Sequence, residues 1–414
     1  MDPDPPCAPL EISPQTQDEL RALLAENFNR AKRPIFPVGG GTSFEHSPPA
    51  RNNAIKIVTR ALDRVVEFAA RDMTITVEAG ISIARLDEIL RGEGLRLPID
   101  IPQWERATLG GALAANACGP RRFGLGTFRD YVIGLTAMKA DGQVFHSGGR
   151  VVKNVAGYDL CKLLVGSMGT LAIVTQVTLK LKPIPEASAL VCAGFANLSD
   201  REAAVAGLLT SQTRPIAIDS LNAAAVEGIG NRLRVGIPVG GPALIVGFEG
   251  TQHETDWQTV TLLNELAAFR PLGLHVNRNV DGGPLWSALT EFAVPGDEFL
   301  FFEARLLPSK ISQFEEAASV LPIEIVARAG NGTLFGKLAG PIADRAEVDN
   351  KVAELATFIA QSRGTFAILR GSPAGAHQAP APPRETGAAA LMRRLKSAFD
   401  PENLLNPLAN VLPG

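Results

Sequence analysis

Apolar residues recur at helical spacing early in the chain. Leu20, Leu23, Leu24 and Phe28 follow Thr16-Gln17-Asp18-Glu19, which has the form of a capping box. This pattern predicts a helix that leads through Arg33-Pro34 into an apolar strand, Ile35-Phe36-Pro37-Val38. The β-branched runs Ile55-Lys56-Ile57-Val58 and Thr74-Ile75-Thr76-Val77 predict two more strands, the second ended by Gly80. Ser82 then caps a short helix carrying Ile83, Leu86, Ile89 and Leu90, stopped by Gly92 and Gly94. Further strands are predicted at 132–138, 143–145 and 171–181, with Asp141-Gly142 as a hairpin turn.

Pro183-Ile184-Pro185 marks a boundary. Beyond it, strands are predicted at 190–195, 216–218, 243–248, 299–306 and 332–338. Helical patterns lie between them, at about 200–211, 254–268, 309–320 and 343–362. This alternation predicts a compact α+β domain over 185–371. Residues 372–386 are a Pro/Ala-rich loop, expected to be mobile. Leu391, Met392, Leu395 and Phe399 predict a last helix in the segment 387–414, ending before Pro401.

Composition narrows the class. The chain has 414 residues, 46% hydrophobic and 20% charged, so a large core forms. At about 100–200 residues per domain, two to three domains are expected. A net charge of −3 gives no basis for nucleic-acid binding or a basic membrane patch. No apolar run approaches the ~20 residues of a spanning helix. The acidic, Pro-rich start, Met1-Asp2-Pro3-Asp4-Pro5-Pro6, is not a signal peptide. Cys7, Cys118, Cys161 and Cys192 are too sparse for a disulfide framework and show no Cys-x-x-Cys spacing. A reducing cytoplasm is expected, without an iron–sulfur centre in this chain.

Two stretches carry candidate chemistry. Pro37-Val38-Gly39-Gly40-Gly41-Thr42-Ser43 sets three glycines before two hydroxyls. It lacks the dinucleotide fingerprint and the Gly-Lys-Ser/Thr of a phosphate loop. Bare backbone and hydroxyl donors nevertheless suit an anion cradle, although Gly-rich runs are more often surface turns. Residues 105–119 are almost all small, with Thr108, Leu109, Gly110, Gly111, Asn116 and Gly119 among them. That composition suits a tightly packed helix and a wall against a ligand equally.

In order, these motifs resemble the FAD-binding domain of the vanillyl-alcohol-oxidase, or PCMH, type. The resemblance rests on residues 37–43, on Ala107-Thr108-Leu109-Gly110-Gly111-Ala112 through Asn116 and Gly119, and on Asp130-Tyr131-Val132-Ile133-Gly134-Leu135. It rests also on Gly166-Ser167-Met168-Gly169-Thr170-Leu171-Ala172-Ile173-Val174-Thr175 and on Phe399-Asp400-Pro401 with Leu405-Asn406-Pro407. It implies a two-subdomain FAD-binding domain over 1–184, an α+β cap over 185–371 and a C-terminal helix returning to the FAD domain. It also implies a pyrophosphate seat at Gly39–Ser43 flanked by Pro37 and Val38. Thr108, Leu109, Gly110, Gly111, Asn116 and Gly119 would lie along pyrophosphate and ring, and Gly169, Ile173 and Val174 near the adenosine. Val152-Lys153-Asn154-Val155-Ala156-Gly157-Tyr158-Asp159-Leu160, with Arg122-Phe123-Gly124 and Arg129-Asp130, is similar to the E-subunit branch of bacterial glycolate oxidases. That branch implies a hetero-oligomer with a larger FAD catalytic subunit and an iron–sulfur subunit. It implies oxidation of a small 2-hydroxy acid in the cytoplasm or at the inner membrane through partners.

Phe44 follows Ser43 where related proteins attach flavin through His, so non-covalent FAD is expected, with His46 the alternative linker. The His-rich metal motif of related 2-hydroxy-acid dehydrogenases is replaced by Ala329-Gly330-Asn331-Gly332-Thr333-Leu334-Phe335, and no metal is expected. Catalytic candidates are Lys153, Arg122 and Tyr158. Arg122 and Arg129 would bind a carboxylate or phosphate, or pair with Asp130 and Asp159. An autonomous dehydrogenase and a non-catalytic flavin scaffold are the competing readings.

Overall fold

In a computed structural model, residues 10–43, 53–149, 159–233, 236–279, 283–339, 345–371 and 387–407 are described. They form two units. The first takes the residues before 118, residues 126–184 and the C-terminal stretch from 387; the second takes 118–125 and the residues from 185 to 371.

The first unit starts with β1 (Leu10–Ile12), β2 (Ile35–Val38) and β3 (Ile55–Val58), a parallel sheet in the order β1-β3-β2. Helix α1 (Gln17–Asn29) buries Leu20 and Leu24 against Ile35, Ile55 and Ile57. Thr16 caps it by accepting the Glu19 N–H. The reciprocal half of the predicted capping box does not form, because the Glu19 carboxylate accepts the Gln15 N–H at 2.7 Å instead.

A five-stranded antiparallel sheet follows. Its strands β4 (Val65–Ala69), β5 (Thr74–Glu78), β7 (Val132–Met138), β8 (Val144–Gly148) and β9 (Ile173–Lys180) run in the order β4-β5-β9-β7-β8. The short strands β6 (Leu95–Arg96) and β10 (Lys182–Pro183) pair with each other. Gly142, at φ +80°, makes the β7–β8 turn. Helices α2 (Ile83–Arg91) and α3 (Leu109–Ala115) bury Leu86, Leu90, Leu109 and Leu113 with Val77, Leu135 and Val177. The short helices α5 (Phe128–Tyr131) and α6 (Leu160–Leu164) complete this core.

The second unit begins with α4 (Arg122–Leu125), taken from the middle of the first unit's sequence. Here the Gly124 N–H donates to Ile216 O at 2.9 Å. Arg121, buried, pairs with Glu249 at 2.6 Å and stacks 4.2 Å from the Trp286 ring. The sequence places these residues with the first domain, and the structure does not.

An eight-stranded antiparallel sheet forms the rest. It contains β11 (Ala187–Gly194), β12 (Ala217–Leu221), β13 (Ala243–Gly250), β14 (Gly273–Arg278), β15 (Leu300–Arg305), β16 (Glu324–Arg328), β17 (Thr333–Leu338) and β18 (Thr365–Arg370). The order is β14-β11-β13-β12-β16-β17-β15-β18. One face packs Val191, Val246 and Phe302 against α7 (Leu198–Gly207), α9 (Gln252–Leu266), α11 (Ile311–Ala318) and α12 (Arg345–Gln361). The other packs Leu190, Ile245 and Phe301 against α8 (Ala223–Leu233) and α10 (Pro284–Glu291). Two further ion pairs are buried among the described residues of this unit, Arg201–Glu315 at 2.6 Å and Arg328–Asp219 at 2.7 Å. The chain ends in α13 (Gly387–Phe399), which returns to the first unit, where Phe399 meets Phe145 edge-on. Among the described residues no helix is long and apolar enough to cross a membrane.

Candidate functional site

Three glycine-rich segments and one C-terminal residue meet in a cleft of the first unit. Its walls include Pro37 to Ser43, Gly110, Gly111, Ser167, Met168, Gly169, Ile173, Val174 and Asn406. The first segment leaves β2 at Val38 and turns at Gly41, whose φ of +74° suits glycine. None of the Gly40, Gly41 and Thr42 N–H groups has an acceptor among the described residues. Successive unpaired N–H groups of this kind make an anion-binding concavity.

The second segment is helix α3. Gly39 and Gly40 pass so close to its approach that a Cβ on Gly39 would lie 2.0 Å from Thr108 Oγ1, and one on Gly40 2.1 Å from Arg106 O. The first N–H groups of α3 are spent within the protein: Leu109 donates to Ile81 O, Gly110 to Ala79 O and Gly111 to Thr108 Oγ1. The loop, rather than this helix end, therefore carries the free donors. Gly110, Gly111, Ala114 and Ala115 give the cleft a wall without long side chains, so the small-residue stretch is a packed helix and a cleft wall at once.

The third segment, 166–170, is held by Gly166 N–H to Leu113 O and Met168 N–H to Ala114 O. Gly169, at φ +68°, sits against Pro37, where a Cβ would approach to 2.8 Å. The C-terminal tail closes the cleft. Lys396 Nζ donates to Thr170 O at 2.8 Å, to Leu405 O at 2.6 Å and to Asp400 Oδ2 at 2.6 Å. Burial pulls the Lys396 ammonium below its usual range, and Asp400 opposes that shift. Asp400 also accepts the N–H groups of Leu404 and Leu405. Asn406 is thereby brought to the cleft, its N–H donating to Ile35 O and its Nδ2 to Met168 O.

Of the cofactor residues expected from sequence, Pro37, Val38, Gly39, Gly40, Gly41, Thr42, Ser43, Gly110, Gly111, Gly169, Ile173 and Val174 share the cleft. Thr108 and Leu109 are buried behind it, as cap and core of α3. Asn116 ends α3 in the left-handed conformation, and its buried Oδ1 has no donor among the described residues. Gly119 belongs to the second unit. Thr59, Ala114, Ala115, Ser167, Met168, Ala172 and Asn406 line the cleft without having been predicted to. The terminal Phe-Asp-Pro…Asn-Pro signature was the one signal that pointed to Asn406.

The charged candidates fare differently. Lys153, Tyr158 and His46 lie outside the described residues, as does 372–386. Arg122 pairs with no carboxylate among the described residues, and its Nη1 donates to Cys118 Sγ at 3.4 Å. Asp130 closes a capping box with Thr127, and Asp159 caps α6 and pairs with Lys162 at 3.1 Å. Among the described residues, neither carboxylate pairs with Arg122 or Arg129. Asn331 sits in the β16–β17 turn, accepting the Thr333 N–H.

The free loop donors and the flat wall fit an anionic dinucleotide cofactor, and the comparisons name it. The FAD binding domain profile matches residues 8–148, and that of the C-terminal domain of FAD linked oxidases matches 374–409. Glycolate oxidase subunit GlcD of Bacillus subtilis is 27% identical over 96% of this chain and 87% of its own. A D-lactate dehydrogenase of Archaeoglobus fulgidus is 27% identical over 96% and 90%.

The chain is an FAD-linked oxidoreductase.

Its cofactor is FAD. Glycolate oxidase subunit GlcE of Escherichia coli is 34% identical to it, over 41% of this chain and 49% of the relative. The resemblance to that subunit is therefore partial. An alkyldihydroxyacetonephosphate synthase structure shares the fold of this oxidoreductase, with a TM-score of 0.70 and 19% identity over 96% of this chain and 76% of that one.

Proposed function

We propose that the chain is an FAD-binding subunit of a glycolate-oxidase-type complex, oxidising glycolate to glyoxylate beside a larger FAD catalytic subunit and an iron–sulfur subunit in the cytoplasm. The observation that carries the reading is the convergence of the loop 39–43, helix α3, segment 167–174 and Asn406 on one cleft. The GlcD and GlcE relatives, both glycolate oxidase subunits by name, support the substrate class and a multi-subunit setting. The loop N–H groups of Gly40–Thr42 would seat the pyrophosphate, and Ile173 and Val174 would flank the adenosine. Binding is read as non-covalent, because Phe44 follows Ser43 where related proteins attach flavin through His. Bound there, FAD supplies the two-electron acceptor that no side chain provides. Arg122, with no carboxylate partner among the described residues, is one candidate for holding the substrate carboxylate. Lys153 and Tyr158 remain candidates beside it.

A second reading is an autonomous 2-hydroxy-acid dehydrogenase. The D-lactate dehydrogenase relative favours it, since it matches almost end to end.

The test begins with the visible spectrum of the purified chain and an assay of the supernatant after acid precipitation. Flavin bands with FAD in the supernatant are expected. Anaerobic mixing with glycolate or D-lactate then divides the readings. Bleaching of the isolated chain favours the autonomous enzyme, and bleaching only with the partner subunits favours the complex. Bound FAD that neither substrate reduces in either setting overturns both.

A further inference from the structure

Arg60 grips the glycine loop from its outer side. Its Nε donates to Gly39 O at 3.1 Å and its Nη2 to Gly40 O at 2.7 Å. Its neighbour Thr59 is itself fixed, with its N–H and Oγ1 both donating to Val38 O. Thr59 is on the cleft wall and Arg60 is not.

The carbonyl oxygens of Gly39 and Gly40 therefore both face one guanidinium. In a trans peptide the C=O and the next N–H point in opposite directions. The Gly40 and Gly41 N–H groups are thus turned away from Arg60, and both lack an acceptor among the described residues. A run of three glycines has the widest backbone freedom available, so nothing in the loop's own sequence fixes these peptide planes.

We infer that Arg60 is a positioning residue for the FAD pyrophosphate. It fixes two peptide planes from behind, so that their N–H groups are preset toward the anion. Its own charge adds an attractive field without touching the cofactor. Preorganisation of this kind raises affinity by removing the ordering cost from the binding step. The inference rests on the reading of this cleft as the pyrophosphate seat.

The experiment is a titration of FAD into the deflavinated full chain, followed by quenching of flavin fluorescence, for the wild type, Arg60→Met, Arg60→Lys and Gly41→Asp. Arg60→Met is expected to raise the Kd for FAD roughly 10- to 100-fold, the range for losing hydrogen bonds from a charged donor. Arg60→Lys recovers part of the loss, since an ammonium reaches a carbonyl but does not fork across two. At saturating FAD the visible spectrum of Arg60→Met matches the wild type, and its flavin-free form melts at the wild-type temperature. Gly41→Asp is the control for the seat. Asp tolerates positive φ, and the Cβ meets nothing within 4 Å, so its carboxylate enters the open cleft and repels the anion. Wild-type affinity in Gly41→Asp would overturn the seat itself. Loss of FAD in Gly41→Asp with wild-type affinity in Arg60→Met would leave the seat standing and overturn the role of Arg60. An altered flavin spectrum, or a lowered melting temperature of flavin-free Arg60→Met, would also overturn that role.

Discussion

The side-chain amide of Asn406 donates to the main-chain oxygen of Met168 at 2.8 Å, joining positions 238 residues apart at the rim of one cleft. The hydrogen bond depends on Lys396, whose buried ammonium draws Thr170, Asp400 and Leu405 together. Lys396→Met leaves the Asp400 carboxylate buried without its cation, a change that costs about 3–5 kcal/mol. A matching drop in the urea midpoint is expected, together with loss of flavin on gel filtration. Asn406→Ala removes one neutral hydrogen bond. It should cost about 1 kcal/mol and weaken FAD binding without unfolding the chain.

Gly40 and Gly41 are adjacent yet should fail in different ways. A Cβ on Gly40 would lie 2.1 Å from Arg106 O, inside the protein rather than in the cleft. Gly40→Val is therefore expected to damage folding. Circular dichroism and thermal melting should show it even without flavin. Gly41→Asp should melt near the wild type and lose FAD. The glycine loop looks uniform in sequence, but each residue faces a different neighbour.

Glu78 is buried on β5, which disfavours its charge, but hydrogen bonds from the Arg64 side chain, Gln17 and the Arg64 N–H outweigh that and hold its carboxyl below the usual range. A depressed carboxyl stabilises the fold above its unfolded value of 4.5 and loses that contribution as pH falls through the folded value. Urea titrations of wild type and Glu78→Gln should show the full stability gap at pH 7. The gap should begin to close below pH 4.5 and vanish once the native carboxyl is protonated.

Arg201 and Glu315 form a pair with both side chains almost wholly buried. Burial pushes the Glu315 carboxyl up, and Arg201 opposes the shift. Either Arg201→Met or Glu315→Leu alone strands a polar partner, and Arg201→Met should cost about 3–5 kcal/mol. The double variant Arg201→Met/Glu315→Leu should be less destabilised than the sum of the singles. A double-mutant cycle in urea measures the difference.

The parts legible in sequence are those with strong local grammar. The glycine run at 39–41, the Gly-Ser-Met-Gly stretch at 166–169, the Thr16 and Ser82 caps and the Asp141-Gly142 turn each specify a backbone shape within a few residues. Strand β13 was visible as an apolar run, but its sidedness was not, because Leu244 and Val246 face one helical layer while Ala243 and Ile245 face the other. With both faces covered, the two-residue alternation disappears. Strands β14, β16 and β18 and helices α8 and α10 were not predicted. In β14, an edge strand, mostly exposed or half-buried residues leave no apolar stripe. The passage of 118–125 into the second unit rests on long-range partners, Glu249, Trp286 and Ile216, that no local window contains. The place of Asn406 in the cleft was hidden for the same reason: the terminal signature marked the residue, but its partner Met168 lies 238 residues away.

The tail that carries Asn406 also sets a timetable. Every other wall of the cleft lies at or before Val174, so a ribosome must translate the whole second unit before the last wall exists. At about 5–20 residues per second, the interval from Met168 to Asn406 is roughly 10–50 s. During that interval the glycine loop is synthesised but the cleft is incomplete. The last described wall of the cleft is thus the last to be made, and a nascent chain stalled before α13 should hold FAD more weakly than the released chain.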